Sequence, residues 1–339
     1  MKQFNKAHLL LIAMLMVVST SCEFNNQDRS AGGTSEILVV TQNDDQWDGI
    51  IGDTIRAYFQ QPQYGLPQPE PLYNLAKINA SGFNDMFKSH KCLLIVKIDP
   101  ELSQPKLETN ENLWAAPQRV IKITAPNRAS WCQFFNEQKE TCKALYDQVE
   151  RDRMLSILRT SKDEKITNRI KNKLGLDMVI PSGFFISRDE PDFMWIRKEL
   201  SKNSYGIFIY TVPYRDTLQL DGNNLISMRD RMMQKYVPGP TDGSFMTTDK
   251  ENMPPQIKYI SNFPTGFAAE MRGLWCLVGD YMAGPFVSYS FPDNRTGNLV
   301  TLEGYVYYPN HDKRNELLQV EALLYSVKIA VQEQEQQKK

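Results

Sequence analysis

The sequence predicts an α+β fold, with largely antiparallel sheet, a few packed helices and two lobes of similar plan. Three observations carry that expectation. Short β-branched and aromatic runs recur along the chain, set apart by Gly, Pro, Asn and Asp turns. The stretch from Asn127 to Leu174 contains neither Pro nor Gly and repeats apolar residues at helical spacing. The composition, 41% hydrophobic and 23% charged, is that of a globular body and excludes wholesale disorder.

Glu36–Thr41 is a β-branched run and reads as a buried strand. Asn43 to Asp45 supplies helix-start chemistry. Trp47, Ile50, Ile51, Ile55, Tyr58 and Phe59 then place one amphipathic helix. Residues 61–71 hold four prolines and must be irregular. Leu72–Ile78, Lys91–Ile98 and Gln118–Ala125 read as strands. The long helical stretch should break near Thr160–Lys162 and stop at Gly175, which fits a C-terminal cap. Within it, Leu145 and Val149 should face the sheet.

Beyond Gly175 the chain reads as strands. Met178–Ser187, Asp192–Lys198 and Gly206–Val212 form a meander, Asn223–Tyr236 a helix, and Pro238–Pro255 a long loop. Ile257–Ile260, Gly266–Val278, Ala283–Phe291 and Asn298–Tyr308 follow as a strand series. Asp312 is expected to cap a last helix that buries Leu317, Val320, Leu323 and Leu324. The lobes are placed at 36–175 and 176–331, with a polar tail at 332–339.

The N-terminus reads as an address. Lys2 and Lys6 precede an unbroken apolar run, Leu9 to Val18, which is too short to span a bilayer. Val18-Ser19-Thr20-Ser21-Cys22 resembles a bacterial lipoprotein box. That resemblance implies removal of residues 1–21 and acylation of Cys22, with palmitate among the chains. At about 0.8 kcal/mol per buried CH₂, two or three chains anchor durably. Residues 22–35, polar and small, read as a flexible tether. The chain as a whole is similar to an uncharacterised family of exported lipoproteins of Bacteroidetes. The similarity covers this signal, the body, Ile180-Pro181-Ser182-Gly183-Phe184 and Asn262-Phe263-Pro264-Thr265-Gly266. It implies an envelope protein attached to the outer rather than the inner membrane, and no activity comes with it.

Charge is balanced at −1, with 39 basic and 40 acidic residues, so nothing draws the chain to nucleic acid. His90 and His311 are the only histidines after the signal, which leaves no His-rich metal site, and no cofactor is expected. No Gly-x-Ser-x-Gly elbow or phosphate-binding glycine loop occurs, and no catalytic residue is assigned. Asp44, Asp45 and Asp48 read as helix-capping acids, and Asp189 to Asp192 as a hairpin turn. The basic residues from Arg151 to Lys173 read as a solvated helix face. Cys92, Cys132, Cys142 and Cys276 read as buried free thiols.

Aromatic residues crowd the second half. In Tyr305-Val306-Tyr307-Tyr308 rings occupy both parities of one strand. If Tyr305 and Tyr307 pack inward, Tyr308 should face outward with Val306. These tyrosines are the candidate binding residues, for envelope proteins or glycans. The functional expectation is a non-enzymatic binding or scaffolding lipoprotein. The alternative is an envelope hydrolase acting on glycan or peptide through a carboxylate pair.

Overall fold

The structure, a computed structural model, describes residues 28–330. The signal at 1–21, Cys22 and the tail at 332–339 lie outside the described residues. The chain folds as α+β. Its first lobe runs β1 (Glu36–Thr41), α1 (Asp44–Trp47), α2 (Ile50–Phe59), β2 (Asn74–Asn79), α3 (Asp85–Lys88), β3 (Cys92–Ile98), β4 (Lys106–Glu111) and β5 (Arg119–Ala125). The strand order is β2-β1-β3-β5-β4. All pairs are parallel except β4 with β5. Alternation along β1 places Ile37 and Val39 in one core and Leu38 and Val40 in a smaller one on the opposite face.

The proline-free stretch forms α4 (Arg128–Arg159) and α5 (Glu164–Leu174). Asn127 caps α4, Asp163 caps α5, and Gly175 ends α5 at φ +64°. At about 1.5 Å per residue, α4 is long enough to serve both lobes. Trp131, Phe135, Tyr146 and Val149 fill the first core, whereas Leu155 enters the second. Trp131 Nε1 donates to the Ile123 carbonyl at 3.0 Å and Tyr146 to the Leu93 carbonyl at 2.8 Å, fixing the helix on β5 and β3. Leu145, expected to face the sheet, is only half-buried. The inward face is set one residue away, by Cys142, Tyr146 and Val149.

The second lobe follows as β6 (Leu176–Asp177), β7 (Phe185–Glu190), β8 (Phe193–Glu199), β9 (Ser204–Pro213), α6 (Gly222–Tyr236), β10 (Phe245–Thr248), β11 (Gln256–Phe263), β12 (Gly266–Val278), β13 (Ala283–Asp293), β14 (Asn298–Tyr307), α7 (Arg314–Leu324) and β15 (Lys328–Ile329). Its main sheet is antiparallel, in the order β10-β12-β13-β14-β9-β8-β7, with β11 also paired to β12. Helix α6 covers one face, over Phe208, Trp275, Phe286 and Tyr305. Helices α5 and α7 cover the other, over Ile207, Tyr289, Leu302 and Val306.

Several expectations are corrected here. The lobes are not alike, because the first sheet is mainly parallel and the second antiparallel. Helix α5, placed in the first lobe by its sequence position, packs Ile166 and Ile170 into the core of the second. The tether differs from residue 28 onward. Arg29 bridges Ala116, Ala31 bridges His90, and Arg153 Nη1 donates to the Gly32 carbonyl at 2.8 Å. Within the loop at 238–255, β10 pairs with β12. Val306 is fully buried rather than outward, because α7 lies over its face of the sheet. Cys92, Cys132 and Cys142 are buried free thiols, and Cys276 is partly exposed.

Candidate functional site

The proline-rich segment joins the lobes. Leu66 inserts into the second core, and the Tyr64 hydroxyl donates to the Pro254 carbonyl. Glu70, 6% exposed, accepts from the backbone N–H groups of Lys313 at 2.7 Å and Arg314 at 2.9 Å. It therefore caps α7 from the other lobe, and Asp312 does not. Arg314 Nη1 donates back to the Pro71 carbonyl at 2.6 Å.

These contacts border a cleft of about 470 Å³. One wall is the polar stripe of α4: Glu140, Lys143, Ala144, Asp147, Glu150 and Arg151. Successive members are three or four residues apart or adjacent, so they share one side of the helix. The facing wall is β11, whose alternate residues Gln256, Lys258, Ile260 and Asn262 all point into the cleft, as strand geometry dictates. Glu270 and Arg272 of β12 continue that wall. Glu321 of α7 and Tyr325, the residue that ends that helix, complete it.

Several of the charges are paired. Arg272 donates to Glu270 Oε1 at 2.9 Å and to Glu321 Oε1 at 2.7 Å. The Tyr289 hydroxyl lies 2.8 Å from Glu321 Oε1 and 3.0 Å from Glu270 Oε2. Burial pushes the Glu270 carboxyl up, but Arg272 and Tyr289 overcome it and hold the group below its ordinary value. Asp147 takes hydrogen bonds from Lys143 at 2.6 Å and Tyr73 at 2.8 Å. Burial again opposes, and Lys143, Arg151 and Tyr73 still hold Asp147 low. Glu150 is pushed up by burial, against the pull of Lys91, which sits 3.1 Å away; the pair is 4% and 0% exposed. Arg151 lies over the Tyr325 ring at 4.0 Å.

The tyrosines singled out in sequence do not converge on this cleft. Tyr305 is buried on the α6 face, stacked on Phe208 with centroids 4.9 Å apart. Tyr307 adjoins Trp275 on the same side. Tyr308 is half-buried on the opposite face, packed against the other core and stacked on His311. Both parities are aromatic because both faces of the sheet are covered. His90 is buried, with Nε2 2.9 Å from Glu36 Oε1. The Asp189 turn meets Arg169 and Lys173, while Asp192 pairs with Lys235 and Tyr236. Sequence reasoning missed the cleft residues because it assigned Arg151 to a solvated face. The available signal was that Asp147, Glu150 and Arg151 adjoin the inward Tyr146 and Val149 on one helix.

Residues 30–159 match the family model described as Domain of unknown function (DUF8532), and residues 163–326 match Domain of unknown function (DUF4837). No curated protein matches the sequence. Among solved structures, a similarity of TM-score 0.22 at 8% identity covers 47% of this chain and 95% of the human StarD13 (DLC2) lipid transfer and protein localization domain. The chain therefore carries two successive domains of unknown function, which meet at the break between α4 and α5.

Proposed function

We propose that this chain is a lipid-anchored lipoprotein of the bacterial cell envelope, held through Cys22, whose inter-lobe cleft binds a small polar ligand without transforming it. The anchor rests on the Lys2/Lys6, Leu9–Val18 and Ser19-Thr20-Ser21-Cys22 pattern. It is expected on the outer membrane.

The observation that carries the binding reading is the engagement of the cleft carboxylates. A hydrolase working through two carboxyls needs one kept protonated near neutral pH and facing the substrate. Here Asp147 and Glu270 are held ionised by cations and hydroxyls, and Glu150, the one that burial pushes up, is 4% exposed beside Lys91 and offers no free acid to a substrate. A cleft of this volume, floored by paired charges and bordered by Tyr64 and Tyr325, suits a polar solute.

Two measurements test the proposal. Cys22→Ala should move the protein from a salt-washed membrane pellet to the soluble fraction; a mutant that still pellets removes the anchor. Ala144 is exposed on the cleft wall, so Ala144→Trp should fill the cleft without unfolding the chain. Native mass spectrometry of protein purified from envelopes should show a small bound mass in wild type and none in Ala144→Trp. Equal spectra overturn the cleft assignment.

A further inference from the structure

We propose that the ligand of the cleft carries a carboxylate, and that Arg151 receives it. This rests on the cleft reading above and names the chemistry that the cleft selects.

The Arg151 side chain is 12% exposed. Its guanidinium plane covers Tyr325 at 4.0 Å. The nearest carboxylate oxygen, Glu321 Oε1, is 3.8 Å from Nη1, beyond hydrogen-bond reach, and is already taken by Arg272 and Tyr289. Among the described residues the Arg151 side chain makes no hydrogen bond. A guanidinium has five N–H donors, and those of Arg151 are free to meet a solute in the cleft that it lines.

The same fold shows what a structural arginine looks like. Arg229, fully buried beneath α6, donates to Glu303 at 2.7 and 3.0 Å and to Thr248 at 2.8 Å. Arg272 likewise donates, through Nε to Glu270 at 2.9 Å and through Nη2 to Glu321 at 2.7 Å. Arg151 differs from both. It is stacked and oriented by Tyr325, held charged by Tyr325, Glu321 and Asp147 against its burial, and has its donors unused at the edge of a cleft.

A planar fork of N–H groups matches a carboxylate in two parallel hydrogen bonds. A doubly charged phosphoryl group suits the place less well, because Glu321 and Asp147 stand beside the guanidinium. On the opposite wall Lys258 is exposed and makes no ion pair among the described residues, so it can meet a second acceptor on the same ligand. The shared chemistry is a monovalent carboxylate on a polar body, whether a peptide C-terminus or an acidic sugar.

The test uses the full chain and follows the Arg Nε–Hε cross-peaks by NMR, with Arg151 identified by its loss in Arg151→Gln. The probes are acetyl-alanyl-alanine and glucuronate, their neutral amides, and inorganic phosphate. At least one acid should move the Arg151 peak and bind at least tenfold more tightly than its amide; which acid does so identifies the source. Arg151→Gln should weaken that acid at least tenfold, and Arg151→Lys, which keeps charge without the fork, should fall between. The proposal is overturned if amides bind as well as acids, if phosphate binds more tightly than both, if no probe moves the peak, or if Arg151→Gln binds like wild type. The acid–amide comparison needs only wild-type protein, so a misfolded variant does not blunt it. If acid and amide bind equally and Ala144→Trp abolishes both, the cleft reading stands and the Arg151 assignment falls.

Discussion

The carboxylate of Glu70 closes the N-terminus of α7, accepting from the Arg314 backbone N–H at 2.9 Å across 244 residues of sequence. A helix cap is ordinarily local, and here it belongs to the other lobe. Glu70→Ala should therefore cost about 1–2 kcal/mol, the range of a lost cap together with its interaction with the helix dipole. Urea unfolding should show a lower midpoint with the slope unchanged. An unchanged midpoint would mean that water replaces the carboxylate at no cost.

Arg229 and Glu303 are both fully buried, with the guanidinium also 3.9 Å over the Phe286 ring. Glu303→Leu alone should destabilise by about 3–5 kcal/mol, because it strands a buried cation. Arg229→Met combined with Glu303→Leu should recover much of that loss. A double-mutant cycle measured by denaturant unfolding checks the sign and size of the coupling.

Gly206 stands opposite Tyr305 in the β9–β14 register, and a Cβ there would lie 1.8 Å from the tyrosine ring. Gly206→Ala should cost about 1–3 kcal/mol by forcing the ring aside. Tyr305→Ala should cost about 3–5 kcal/mol, as for a large buried aromatic. Melting temperatures of the two variants, set beside Tyr308→Ala, test the ranking. Tyr308, half-buried, should lose least.

Burial holds His90 below its ordinary value of 6.5, with Lys91 adding to the effect and Glu36 opposing it. The unfolded chain thus takes up this proton at a higher pH than the folded one. Stability should be complete above pH 6.5 and fall as the pH drops from there through the lower, folded value. Urea midpoints at pH 7.5 and 5.5 should differ more for wild type than for His90→Gln. Equal differences would show that His90 contributes nothing to acid sensitivity.

Local chemistry was legible in the sequence. Asn127, the break after Arg159 and the Gly175 stop all act within one or two helical turns, and they appear where residue type alone places them. β4 was not legible, because Lys106–Glu111 is an edge strand with exposed positions and no apolar run. The Glu70 cap, Leu66 in the far core and Arg151 in the cleft were hidden for a different reason. Each is decided by a partner far along the chain, and neither periodicity nor composition records such partners. Tyr305 and Tyr308 show the complement. Alternation separated their faces correctly, but it could not tell that helices cover both sides.

Leu66, 3% exposed, lies in the core of the lobe to which its own strands do not belong. To swing one lobe away from the other, the chain would have to withdraw that side chain into water and release Tyr64 from Pro254. Both contacts oppose any widening of the mouth of the cleft. On the proposed function, a solute would meet walls already in place, and its capture would include no closing step. Its observed association rate should climb in proportion to concentration without reaching a plateau, and its residence time should be set by the contacts it makes and not by a gate.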